Sequence, residues 1–96
     1  MTDFTIEKLT VIDGEPNYAG NRLLASFTVV MPWITIRGCV LVEKATGIVR
    51  AYGPLGKTPR GHAASAELTD ATLARAITRR AAVIYGAYTG REVSDE

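Results

Sequence analysis

The sequence predicts an α+β fold: an antiparallel four-stranded β-meander followed by one long C-terminal helix, packed as two layers. Three observations predict it. Short alternating segments separated by Gly- and Pro-bearing turns fill the first half of the chain, the pattern of neighbouring antiparallel strands. A Gly- and Pro-rich stretch then interrupts from Gly53 to Gly61. After it, apolar residues three and four apart mark a helix. The 96 residues hold one core, so 1–96 reads as a single domain with an ordered body over about 4–88.

The elements follow in order. Phe4 to Ile12 alternates, with Phe4, Ile6 and Ile12 set against Thr5 and Glu7, and reads as the first strand. Asp13-Gly14-Glu15-Pro16-Asn17 is a turn, and Gly20-Asn21 closes the loop. Arg22 to Val30 is the second strand, its inner face Leu23, Ala25, Phe27 and Val29. Met31-Pro32 is a tight connection, since proline gives no ladder donor. Trp33 to Glu43 is the third strand, with Ile34, Ile36, Val40 and Val42 on one face. Lys44-Ala45-Thr46-Gly47 is a hairpin turn whose glycine supplies a positive φ, and Ile48 to Tyr52 is the fourth strand. Gly53 to Gly61, carrying Pro54, Gly56 and Pro59, is predicted as a defined irregular loop.

The helix is predicted from about Asp70 to Ala87, with Thr69 as N-cap. Leu73, Ile77, Ala81, Ile84 and Tyr88 make its buried stripe. Gly90 ends it, and 91–96 is expected to be a frayed acidic tail.

The charge is uneven. Through Glu43 the chain has three basic and five acidic residues; from Lys44 to Arg91 it has eight basic and two acidic. Glu92, Asp95 and Glu96 then reverse the sign. Such an imbalance points to an acidic partner for the second half, set against a merely solvated surface. No apolar run reaches the ~18 residues of a membrane span. Met1-Thr2-Asp3-Phe4 lacks a basic-then-apolar start, so a cytoplasmic location and no membrane partner are expected.

Several residues invite catalytic readings that their context does not support. Gly56-Lys57-Thr58 ends like a phosphate-binding P-loop, but Ala51 stands where the first glycine belongs. Pro59 also opposes the helical start that such a loop needs. His62 is the only histidine and Cys39 the only cysteine, so neither completes a metal set or a disulfide. Cys39 lies inside an apolar run and reads as a small core side chain. Asp13 and Glu15 are explained by a turn. Trp33 after Pro32 reads as core or interface in preference to a base-stacking platform. No enzyme activity, cofactor or small-molecule substrate is expected.

The helix carries more information. Arg75 and Arg79 are four apart, Arg80 is beside them, and the helix has no acid after Asp70. Guanidinium groups match phosphate oxygens in bidentate fashion. The alternative is a soluble face whose arginines cover apolar flank. Lys57 and Arg60 add charge from the preceding loop, with Arg50 near them in sequence.

The segment Gly53-Pro54-Leu55-Gly56-Lys57-Thr58-Pro59-Arg60-Gly61 resembles the basic Lys-Thr-Pro-x-Gly loop of the SpoVG family of small bacterial regulators. Leu23-Leu24-Ala25-Ser26-Phe27-Thr28 before it, the Val42-Glu43 to Gly47 turn and the helix with Ile77, Ala81 and Tyr85 fall in the family's order. The resemblance covers about residues 4 to 88, and its specific part is Lys57-Thr58-Pro59-x-Gly61. Arg60 stands where the family usually has an acid, Gly56 where it has a second base, and the family's Ile-Ala-His-Pro stretch is replaced by His62-Ala63-Ala64-Ser65-Ala66. The resemblance implies a divergent relative: a homodimeric regulator that binds DNA or RNA without catalysis. The expected contacts are Lys57, Arg60, Arg75, Arg79 and Arg80. The alternative is a non-catalytic protein-interaction adaptor using an exposed strand edge and Trp33.

Overall fold

The computed structural model describes residues 3–95; Met1, Thr2 and Glu96 lie outside them. Strands β1 (Thr5–Val11), β2 (Arg22–Val30), β3 (Thr35–Glu43) and β4 (Val49–Tyr52) form one sheet in the order β1-β2-β3-β4. All neighbouring pairs are antiparallel. A second, two-stranded sheet pairs β5 (Leu55–Lys57) with β6 (Ala63–Ser65), and helix α1 (Ala71–Thr89) follows. The predicted meander and C-terminal helix are therefore present as an α+β fold.

Three irregularities decide which side chains reach the core. Lys8 has a left-handed φ of 54°, and the β1–β2 register shifts between Glu7 and Thr10. This bulge turns Leu9 inward beside Ile6 and leaves Ile12, expected inside, 44% exposed. A second shift, between Leu23 and Ala25, buries Leu24 completely and leaves Leu23 only half-buried. The third lies at Gly38 (φ 82°), after which Cys39 and Leu41 face the core. Val40 and Val42, expected to share a face with Ile36, are on the opposite face from it and half-buried, while Ile36 packs on the core. A strict period of two inverts past each bulge.

The core lies between this face and α1. Leu24, Val29, Leu41, Val49 and Ile77 are fully buried, each contributing about 1.5–3 kcal/mol of transfer free energy. Tyr85, also fully buried, fills the place expected for Tyr88, which is 66% exposed. The helix begins one residue later than predicted: Asp70, not Thr69, is the N-cap, its carboxylate accepting from the Leu73 N–H at 3.1 Å. Gly90 closes the helix at φ 77°, its N–H donating to the Gly86 carbonyl.

Two further expectations are corrected. Gly53 to Gly61 is not irregular: Leu55–Lys57 is a strand, paired with Ala63–Ser65 beyond the turn. The two prolines sit where they cost no ladder bond, Pro54 before β5 and Pro59 within the turn. Gly61, at φ 83°, donates to the Thr58 carbonyl at 2.9 Å, and Thr58 Oγ1 accepts from the His62 N–H at 3.2 Å. Through Asp95 the tail is not frayed either; Glu96 lies outside the described residues. Val93 packs on the core, the Ser94 carbonyl accepts from the Val49 N–H at 2.9 Å, and Arg79 pairs with Asp95 at 3.2 Å.

That docking closes one edge of the sheet. Val49 and Ala51 point their N–H groups outward from β4; Ser94 satisfies the first and Thr78 Oγ1, at 2.9 Å, the second. These two outward donors of edge strand β4 are thus taken, and β1, at the other edge of the sheet, is interrupted by its bulge.

Candidate nucleic-acid interface

The five expected contact residues divide into three groups. Lys57 and Arg60 stand on the β5–β6 hairpin, whose six strand residues are all exposed. Arg75 and Arg79 are exposed on the flank of α1 beside β4, where the docked C-terminal segment lies. Arg80 is on the opposite flank, its guanidinium 4.8 Å from the ring centre of Phe4, next to β1. Arg75 and Arg79 share a face as expected; Arg80 does not join them.

The hairpin meets the helix flank across a groove of about 610 Å³. Its walls include Arg50, Leu55, Ala66, Leu68, Arg75 and Asp95. The groove has hairpin root on one side and helix on the other because the chain is pinched at Gly53. A Cβ on that glycine would lie 1.9 Å from the Ala66 carbonyl oxygen, and the Ala66 N–H donates to the Pro54 carbonyl at 3.1 Å. Only glycine permits this approach. On the helix side, Thr78 is 4% exposed; its hydroxyl donates to the Ala74 carbonyl at 2.8 Å while accepting from Ala51. That bond fixes α1 against β4 and so sets where Arg75 stands.

The electrostatics revise the expected footprint. From Lys44 to Ala66 the chain has four basic residues and no acid. The helix itself holds no acid after Asp70, but one reaches its arginines from outside: Asp95 returns from the tail to pair with Arg79. Arg75 retains its cationic head on the groove wall. His62 is exposed on the hairpin and is not part of that wall.

A polar cluster that sequence reading did not find lies beside the other end of α1. The buried Tyr85 hydroxyl donates to Asp13, Arg22 Nε donates to the Gly14 carbonyl at 2.8 Å, and Arg91 pairs with Glu43. Burial pushes the Tyr85 phenol up, Asp13 reinforces this, and Arg91 opposes it. Glu43 holds the Arg91 guanidinium above its ordinary value. These bonds satisfy one another and tie the helix end to the β1–β2 loop and β3. Burial likewise raises the Cys39 thiol, which is fully enclosed as a core side chain.

No protein-family model, curated protein or solved structure matches this chain. Among the described residues, no group of three or more His, Cys, Asp or Glu is arranged to hold a metal ion. No helix among them is long and apolar enough to cross a membrane.

Trp33 forms a separate feature. It is 74% exposed, with Ile34 48% exposed beside it, so it is not the core residue that was one of its two expected places. With Pro32, Leu73 and Ala76 it borders a recess of about 490 Å³ at the N-terminal end of α1.

Proposed function

We propose that this chain is a non-catalytic, cytoplasmic nucleic-acid-binding regulatory protein that works as a homodimer, as its resemblance to the SpoVG family implies. Lys57 and Arg60 on the hairpin and Arg75 on the helix hold phosphates. Arg79 contributes less because Asp95 competes for it, and Arg80 serves the opposite flank. The observation that carries this reading is the exposed hairpin bearing Lys57 and Arg60, with no acid from Lys44 to Ala66, whose root faces Arg75 across a groove lined also by Arg50 and by the acids Glu67 and Asp95. A gel-shift series with random-sequence DNA and RNA at several salt concentrations tests it. Binding that weakens steadily with salt supports the reading, and no binding to either polymer at low salt rejects it.

The adaptor reading has one observation in its favour, the exposed Trp33 and Ile34 beside the recess. It requires binding that is indifferent to nucleic acid. Trp33→Ala separates the two, because it leaves the basic hairpin intact.

A further inference from the structure

We propose that the β5–β6 hairpin is an arm that enters the major groove of duplex DNA; this rests on the nucleic-acid reading and names the polymer and the groove. The first ground is shape. The hairpin is a sheet of its own, with every strand residue exposed. Its cross-strand pairs are Leu55 with Ser65, Gly56 with Ala64 and Lys57 with Ala63, so Leu55 and Lys57 are its only bulky strand side chains. A two-stranded ribbon fits the B-form major groove, about 12 Å wide and 8.5 Å deep. Three paired residues at roughly 3.4 Å each, plus the turn, reach beyond that depth.

The second ground is charge placement. Lys57 flanks the turn and Arg60 lies in it, with the first acid after the arm at Glu67, beyond its root. Cations at the tip and along one strand meet phosphates on the groove walls as the ribbon enters.

The third ground is stiffness. The tip is closed by the Gly61-to-Thr58 and His62-to-Thr58 bonds, and the root by the Gly53–Ala66 pinch and the Ala66-to-Pro54 bond. A ribbon held at both ends loses little entropy on insertion. The same geometry selects the polymer, because A-form RNA has a deep, narrow major groove that side chains cannot read.

The test measures anisotropy with four labelled probes of one random sequence: duplex DNA, the same duplex with glucosylated hydroxymethylcytosine filling its major groove, the duplex saturated with netropsin in its minor groove, and duplex RNA. Glucosylation and the RNA duplex should each weaken binding about tenfold or more, while netropsin leaves it within about twofold. Lys57→Ala/Arg60→Ala, both at exposed positions, should flatten the log–log salt slope on duplex DNA by about two for one bound chain and by about four for a dimer. Unchanged affinity for glucosylated DNA, equal or tighter binding of duplex RNA, competition by netropsin, or an unchanged slope in the double variant each overturns the arm while nucleic-acid binding stands. No binding to any of the four overturns both.

Discussion

Thr78→Val removes one oxygen from the core and tests what positions the helix flank of the groove. Valine keeps the branched shape, so packing around position 78 changes little. The Ala74 carbonyl loses an additional donor at 2.8 Å. The Ala51 N–H loses the partner at 2.9 Å that the structure gives it outside the ladder. Thr78 is 4% exposed and Ala51 7%, so water does not readily replace that partner. An orphaned buried N–H costs about 1–3 kcal/mol. For a domain of this size each kcal/mol lowers the Tm by roughly 4–8 °C. Thr78→Ser keeps the hydroxyl and loses only a methyl, a smaller loss of about 1 kcal/mol. Thermal unfolding followed by circular dichroism, with amide exchange at Ala51, reads both effects. The reasoning is refuted if Thr78→Val melts with the parent and the Ala51 amide remains as protected.

Two further predictions concern the root of the arm and the far end of the helix. Gly53→Ala drives a Cβ to 1.9 Å from the Ala66 oxygen, so the base of the hairpin must open. Hydrogen exchange should rise at Ala66 and across Leu55–Lys57, and unaltered exchange would contradict the close approach. The Tyr85 phenol is raised above its ordinary value near 10, first by burial and then by Asp13. The unfolded state then releases the proton more readily than the folded one, so this contribution is complete below the unfolded value and is lost as pH rises through the folded one. Denaturant midpoints should fall above about pH 10 in the parent and fall less in Tyr85→Phe; equal alkaline losses in the two proteins would contradict it.

Much of the fold was legible because local chemistry and global pattern agreed there. Arg22 to Val30 matches its strand end for end, Gly47 closes the Lys44–Gly47 turn at φ 93°, and Gly90 stops the helix. The faces were less legible, because a bulge carries no period of its own. Gly38 inside a strand was the available signal for one of them, whereas Lys8 gave none. The β5–β6 hairpin was hidden by counting glycines and prolines without asking where each falls. Pro59 and Gly61 make the turn, and three paired residues on each side suffice for a ribbon. Thr78 and Asp95 were invisible for another reason: the first is polar within an apolar stripe, and the second meets Arg79 only after the tail folds back. At the candidate site, the exposed cations Lys57, Arg60 and Arg75 could be read from spacing and composition. The competitor of Arg79 and the separate flank of Arg80 required three dimensions.

The central claim is tested most directly by the salt dependence of the parent protein on duplex DNA. If Lys57, Arg60 and Arg75, all exposed, hold phosphates as proposed, one chain makes three contacts and a dimer six. With about 0.9 counterion released for each contact, the log–log slope should lie between about −3 and −5, the steeper value belonging to the dimer. Sedimentation on the same samples assigns the number of chains. A slope in that range carries the account; affinity that is absent, or that does not change with salt, contradicts it.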